Sequence, residues 1–451
     1  MRKRTDHHYT WREYQRKLKR DARKRYYLSR LPCLWLYGMG AFVVLVFMSY
    51  TGSKIFARLD EEAEVLSSPV VTEREERAPE PITKRDLREF LRGVDPQRLF
   101  NVGNGEFQRE GISYTVETSL DMKLQGYALN LLSRSKTSRA AVVVLDPRTG
   151  KVLAMADHKG EGEGDVNLCL AADFPAASLF KIISAAAAIE VGGLSPEKTL
   201  LFRGRRHTLY KSQLTQKRGP YTVETTLRKA FASSINPVFG KIGIYYLGRE
   251  LLTEYAKRFL FNGSIPFELP VGASYVEVPE DNYGLAEISS GFNKRTLISP
   301  LHGALIGSVI ANNGVIVEPW IVSRIKQGPD KIHYENSVKT IGRAISDETA
   351  TELRKMMRDT VLSGTGRKAF HRIRAKNRFK NIELGAKTGT VNDRFDRYKY
   401  DWMVAYALPK DGQGGICVSV LAVHGKKLGI RASQIARYII DYYYRSTRRD
   451  V

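Results

Sequence analysis

Cysteine is scarce: Cys33, Cys169 and Cys417 are the three in 451 residues. No Cys-x-x-Cys pair and no His-x-x-x-His occurs, and the eight histidines lie scattered, which excludes the common zinc modules and a disulfide scaffold. Cys169 and Cys417 are left open as a pair or as two unlinked buried thiols. No metal and no cofactor are expected. Acid is short as well, with 48 Asp+Glu against 72 Lys+Arg and a formal charge of +24. Such a surplus fits nucleic acid, an anionic membrane surface or an acidic polymer, and its distribution decides among them. A Ser-His-Asp set on a nucleophile elbow is missing too. The chain does have 43% hydrophobic and 27% charged residues, the balance of a globular protein with ample core.

Residues 1–30 hold twelve Lys/Arg against three acids, interleaved with Tyr9, Trp11, Tyr14, Tyr26 and Tyr27. From Leu31 to Ser53 no charge occurs. That run suits a helix crossing ~30 Å of hydrocarbon at ~1.5 Å per residue. The basic cluster before Leu31 then holds the N-terminus in the cytoplasm and sends everything after Ser53 outside. The expected protein is single-pass, with its N-terminal tail on the cytoplasmic side against anionic head groups. No recognition motif supports nucleic-acid binding. Residues from Asp60 to Pro81 are rich in Glu, Pro and Ser and read as a linker. Thr83 to Asp86 resembles a capping box before Leu87, Phe90 and Leu91, so a short helix is expected there, docked on the domain C-terminal to it. The divisions are 1–30 tail, 31–53 transmembrane helix, 54–115 linker and juxtamembrane segment, and 116–451 catalytic domain.

In that domain a helical pattern (SLDMKLQGYALNLLSR) precedes RAAVVVLDPRTGKVLAMAD, whose two apolar runs flank a turn. Pro175 stands at an expected helix start, and Ile182 to Ile189 is apolar on every face, as in a buried helix. KTGTVNDRFDRYKYDWMVAYALP and GICVSVLAVHG contain runs of strand length, and Ile435, Ile439 and Tyr442 recur at helical spacing in the last segment. The expected fold is α+β, an antiparallel sheet sandwiched by helices. The basic run RKAFHRIRAKNRFK reads as a solvated loop near the cleft, whose functional reading is attraction of an acidic substrate.

Three short motifs carry chemistry: Ser178-Leu-Phe-Lys181, Ser234-Ile-Asn236 and Lys387-Thr-Gly-Thr390. On a helix, residues i and i+3 share a face, so Lys181 can reach the Ser178 oxygen and, once desolvated, act as its base. Ser-x-x-Lys also begins at Ser133, Ser195 and Ser323, but only Ser178 opens an apolar helix just after a hairpin. Ser-x-Asn and Lys-Thr-Gly occur once each.

With these motifs in this order the chain resembles the penicillin-binding proteins, acyl-serine transferases that cross-link peptidoglycan and share the trio with serine β-lactamases. The resemblance runs from about Val116 to Tyr444 and includes SLDMKLQ, VVVLDPRTGKVLAMA, ISSGFNKRTLISPLHGALIGSVIANNGVIVEP and GTGRKAF. It implies that Ser178 attacks a D-alanyl-D-alanine donor and Lys181 takes its proton. Ser234 relays a proton to the leaving amine, and Asn236 orients Lys181 and the substrate amide. Lys387 supplies a positive field for the substrate carboxylate, with Thr388, Gly389, Thr390 and Trp402 in the substrate-binding set. The N–H groups of Ser178 and Thr390 form the oxyanion hole. A stem-peptide amine then closes the cross-link, with D,D-carboxypeptidase activity possible beside it.

Sixty residues from Lys54 to Ser113 leave no space for a glycosyltransferase domain. A membrane-embedded glycan polymerase is therefore expected as partner, met through the Leu31 to Ser53 helix at Gly38 and Gly40. The alternatives are a membrane-anchored β-lactamase or β-lactam sensor and a non-catalytic scaffold of the cell-wall machinery. A deacylating Glu-x-x-x-Asn element is missing, since EVPEDN from Glu277 to Asn282 has the wrong spacing, and all seven motif residues are intact.

Overall fold

The computed structural model describes residues 83–92, 100, 103–109, 111–160, 166–393, 395–412 and 414–446, which fall in one compact unit, Pro81–Val451. The basic tail, the Leu31 to Ser53 segment, Cys33 and the linker from Asp60 to Pro81 lie outside the described residues. Among those described, no helix is long and apolar enough to cross a membrane.

Helix α1 (Lys84–Phe90) begins at the expected capping box, where the Thr83 N–H donates to the Asp86 carboxylate at 2.7 Å and the Asp86 N–H returns a bond to the Thr83 hydroxyl. Lys84 reaches between Glu268 and Glu318, and Arg88 Nε donates to the Phe267 carbonyl at 2.9 Å, so this short helix docks on the domain. Strands β1 (Asn104–Arg109) and β2 (Ile112–Thr118) form a hairpin, so the expected boundary at residue 116 falls inside a strand. Asp121 caps α2 (Met122–Ser133). One turn on, buried Gln125 bonds both the N–H and the C=O of Met155, at 2.8 and 2.9 Å, which accounts for the Asp-x-x-x-Gln spacing. Strands β3 (Arg139–Leu145) and β4 (Val152–Lys159) make the expected hairpin, its turn closed by Asp146 Oδ1 accepting from the Arg148 N–H at 2.8 Å.

Pro175 does not start a helix. It belongs to β5 (Phe174–Pro175), and the helix begins later with a single 3-10 turn, Ala177–Phe180, leading into α3 (Lys181–Glu190). The cause is nonlocal: Phe174 and Pro175 pair with Ile298 and Leu297, and the Ala176 N–H donates to the Thr296 carbonyl, which holds the backbone extended. The hairpin β6 (Thr199–Arg203) and β7 (Thr222–Thr226) follows. Then come α4 (Leu227–Ala232), α5 (Asn236–Ile242), α6 (Gly248–Arg258), α7 (Asn282–Ser290), β8 (Leu297–Ile298) and α8 (Pro300–Ala311). A short pair joins β9 (Val315–Val317) to a later strand, while β10 (Val322–Gln327) and β11 (Lys331–Glu335) extend the β1–β2 hairpin to four strands in the order β1-β2-β10-β11. Strand β12 (Thr340–Arg343) pairs with β9, and α9 (Asp347–Leu362) follows.

The basic run expected as a loop is instead α10 (Arg367–Arg374) with a short 3-10 turn, because Phe370, Ile373 and Phe379 anchor it in the core. Last come β13 (Ile382–Asn392), β14 (Lys399–Pro409), β15 (Ile416–His424) and α11 (Ala432–Ser446). The central sheet is antiparallel throughout, ordered β13-β14-β15-β3-β4. Strand alternation sends Ala141, Val143 and Leu145 into one core, with α3 and α8, and Ala140, Val142 and Val144 into the other, with α2, α10 and α11. Both faces are thus covered, as an α+β sandwich requires. Ile435 and Ile439 of α11 are buried as their spacing implied, each stabilising the fold by about 1.5–3 kcal/mol, and Tyr442 stacks on Tyr127 with ring centroids 4.0 Å apart. Cys169 and Cys417 are free and buried, so the unlinked alternative holds for that pair.

Candidate active site

Of the four Ser-x-x-Lys sequences, only one brings the serine hydroxyl and the lysine ammonium group within hydrogen-bond distance among the described residues. Ser323 and Lys326 sit on β10, where the Ser323 hydroxyl donates to the Glu117 carbonyl and Lys326 pairs with the Glu117 carboxylate instead. Ser178 lies in the 3-10 turn and Lys181 at the start of α3, and Lys181 Nζ stands 2.9 Å from Ser178 Oγ. The turn is held under strain: Ala177, just before the serine, has φ +50°. Gly291, with φ +63°, packs against the Ala177 carbonyl so closely that a Cβ there would lie 1.9 Å from it.

Lys181 is wholly buried, and two further acceptors surround its Nζ: Asn236 Oδ1 at 2.7 Å and the Ser290 carbonyl. The Asn236 amide cannot be reversed, because its Nδ2 donates to the His207 carbonyl at 3.0 Å. Neither a carbonyl nor that amide oxygen can donate a proton. A neutral amine therefore spends its two N–H groups on Asn236 and Ser290, and its lone pair is left for the Ser178 hydroxyl. Burial, reinforced by the charge of Lys387, pushes the Lys181 pKa well below its ordinary range, which is the state a base needs.

Ser234 has φ +53° and sits just before α5. Its hydroxyl accepts from Lys387 Nζ at 3.0 Å, across 153 residues of chain, and Lys387 also donates to the Thr388 carbonyl at 2.9 Å. Lys387 is fully buried, and that burial lowers its pKa to about 7. Phe239 and Phe231 lie under the Lys181 and Lys387 side-chain nitrogens, each ring centroid 5.5 Å from its Nζ. Strand β13 is a sheet edge. Since the Thr388 carbonyl points away from β14 to Lys387, the Thr390 N–H two residues on points the same way, into the cleft. Gly389 lets this strand lie against the Ser178 turn: a Cβ there would be 3.3 Å from Ala177 Cβ and 3.4 Å from the Ser178 N. Thr390 is exposed, and its hydroxyl donates to Asp401 at 3.3 Å.

Trp402 departs from its expected place in the substrate-binding set. It is wholly buried on β14, and its indole N–H donates to the Pro175 carbonyl at 2.9 Å. It braces the strand that precedes Ser178 and cannot touch a substrate. Residues the motifs did not indicate include the Ser290 carbonyl, Gly291 and Thr365, whose hydroxyl lies 2.7 Å from that of Thr388. Hints lay in two stretches of the resemblance, Ser289-Ser290-Gly291 and Gly364-Thr365-Gly366, where glycines mark tight turns. Among the described residues no group of His, Cys, Asp and Glu could hold a metal ion.

A serine that follows a strained residue, a buried lysine beside it, a second Ser–Lys pair and an edge strand define an acyl-serine enzyme site. Residues 140–441 match the penicillin binding protein transpeptidase domain, and the chain belongs to that family. The peptidoglycan D,D-transpeptidase PbpA of Mycobacterium tuberculosis strain H37Rv is 29% identical over 409 residues, which cover 81% of this chain and 78% of that one. The stage V sporulation protein D of Bacillus subtilis strain 168 is 24% identical over 290 residues, 61% of this chain and 43% of that protein. Among solved structures, the D,D-transpeptidase domain from Eggerthella lenta superposes with a TM-score of 0.61 at 23% identity, covering 74% of this chain and 83% of that one. The crystal structure of PBPA from Mycobacterium tuberculosis gives 0.58 at 25% identity, covering 72% and 81%.

Proposed function

We propose that this protein is a penicillin-binding peptidoglycan D,D-transpeptidase in which Ser178 is acylated by the D-alanyl-D-alanine end of a stem peptide. The observation that carries the reading is Lys181, buried, flanked by two carbonyl-type acceptors and 2.9 Å from Ser178 Oγ. Lys181 takes the hydroxyl proton as Ser178 attacks the carbonyl carbon, and the oxyanion sits between the N–H groups of Ser178 and Thr390. The Ser234–Lys387 pair delivers a proton to the departing D-alanine amine. Lys387 and the Thr365–Thr388 hydroxyl pair face the terminal carboxylate, and an incoming amine then takes the acyl group. Labelled penicillin added to the full-length protein should modify Ser178 and stay bound. Label on Ser133, Ser195 or Ser323 would overturn the assignment.

The β-lactamase alternative needs a carboxylate to activate water at the acyl-enzyme. Among the described residues no carboxylate is hydrogen-bonded to Ser178, Lys181 or Ser234, and Glu277 is bonded to Tyr275 instead. Rapid multiple turnover of penicillin would nevertheless move the protein to that class.

The Leu31 to Ser53 run and the basic tail before it support a single-pass protein in the cytoplasmic membrane with its catalytic domain outside. A membrane-embedded glycan polymerase is the proposed partner, serving cell-wall growth and cell shape. Exchanging that helix for an unrelated one of equal length should reduce recovery of the polymerase in cross-linking pull-downs. Undiminished recovery would confine the helix to anchoring.

A further inference from the structure

Beside the Ser234–Asn236 motif lies a groove of about 460 Å³ that the mechanism above leaves unused, lined by Arg203, Arg205, Tyr210, Gln213 and Tyr221 among others. The segment that forms it, Thr199 to Thr222, holds six Lys/Arg and no Asp or Glu. Among the described residues Arg218 alone of the six has a carboxylate partner, Glu224 at 2.8 Å, while Arg203, Arg205, Arg206, Lys211 and Lys217 have none within ion-pair distance. A concave place lined by charge of one sign focuses its field and raises the local concentration of anions.

The groove is built rather than loose. Gln213, buried at its floor, donates to the Arg203 carbonyl at 2.8 Å and accepts from the Tyr210 N–H at 2.9 Å and the Thr208 hydroxyl at 3.1 Å. Tyr283 and Tyr245 hold the segment from outside through the Leu209 and Leu214 carbonyls, both at 2.9 Å. Two bonds tie it to the catalytic centre: the Asn236 N–H donates to the Arg206 carbonyl at 2.7 Å, and Asn236 Nδ2 donates to the His207 carbonyl at 3.0 Å. Asn236 in turn holds Lys181. The rim carries two exposed aromatics, Tyr210 and Tyr221, on which a peptide or sugar can lie.

We propose that this groove is a subsite for a free carboxylate of the peptide substrate, a reading that rests on the transpeptidase function above. The guanidinium groups of Arg203 and Arg205 provide the planar, two-pronged donors that carboxylates favour. The carboxylate belongs either to the donor stem peptide, upstream of its D-alanyl-D-alanine end, or to the acceptor stem peptide. Both present the same chemistry.

The test gives the full-length protein two donor peptides that differ only in one upstream side chain, free carboxylate or its amide, and two acceptor peptides that differ likewise. One of the two pairs should show a preference of about tenfold in kcat/KM for the free acid, the scale of one charge-assisted hydrogen bond. A preference in the donor pair assigns the groove to the donor, and one in the acceptor pair assigns it to the acceptor. Arg203→Gln with Arg205→Gln should bring the preference to within twofold, and Arg205→Glu, at an exposed position, should reverse it. Equal rates for acid and amide in both pairs, or a preference that survives these substitutions, would overturn the proposal. Turnover of the amidated donor and acylation by penicillin report separately on the transpeptidase reading, and if neither occurs both readings fall together.

Discussion

Replacing Gly291 by alanine should displace the nucleophile without touching any motif residue. The added Cβ would lie 1.9 Å from the Ala177 carbonyl oxygen, 2.5 Å from its carbon and 3.0 Å from the Ser178 nitrogen. A carbon and an oxygen need about 3.2 Å, so the two backbones must part by about 1.3 Å. Both are backbone atoms, and no flexible side chain can give way. Even if half the movement falls on the Ala177 side, Ser178 moves by about 0.6 Å relative to Lys181 and the Thr390 N–H, and a misplacement near 1 Å can cost about a hundredfold in rate. The expected loss of penicillin acylation is ten- to a hundredfold, or about 1.4–2.7 kcal/mol of transition-state stabilisation. The left-handed backbone adds a stability cost of about 1 kcal/mol. Gly193→Ala separates the two effects. Gly193 has φ +67° but nothing within 4 Å of its missing Cβ, so that variant should lose only the left-handed backbone's share of stability and keep its acylation rate. Stopped-flow acylation with fluorescent penicillin and thermal melts of all three proteins decide the matter. Acylation of Gly291→Ala within twofold of wild type would refute the claim that this contact sets the nucleophile.

Lys181→Arg should abolish acylation, because a guanidinium stays protonated and cannot take the Ser178 proton; retention of most of the rate would refute the base role. The pH profile of kcat/KM for acylation should fall above about pH 7 as Lys387 loses its proton, and a profile flat from pH 6 to 9 would contradict that assignment. Stability carries the same signature. Lys387 titrates at about 7 in the folded state against an ordinary 10.5, so between those values the unfolded chain binds more protons and stability rises with pH. Lys387→Met should flatten that rise in Tm while weakening acylation. Thr365→Val should raise KM for carboxylate-bearing donors several-fold with little change in melting temperature, since it removes one of two paired hydroxyls at the cleft, and an unchanged KM would exclude Thr365 from carboxylate recognition.

Much of this molecule was legible locally. Thr83 with Asp86, Asp121 with the Leu124 N–H, and the turn at Asp146 each solve a backbone hydrogen-bonding problem within a few residues, so their spacing in the chain is their structure. The alternation of β3 between two cores is a property of the strand itself. Ser178 and Lys181 could be paired in advance because three residues on a helical turn share a face. What sequence alone left undecided depends on contacts between distant segments. Pro175 became a strand residue because Leu297 and Thr296 offered partners, and the basic run became α10 because the sheet's second core had space for Phe370 and Ile373. Trp402 looked like a substrate contact until the fold placed it under Pro175. Residue type makes Lys181 capable of being a base, but burial, the Lys387 charge and two carbonyl-type acceptors from Asn236 and Ser290 give it the lowered pKa that the proposed base role needs, and no property of a lysine in isolation could show that environment.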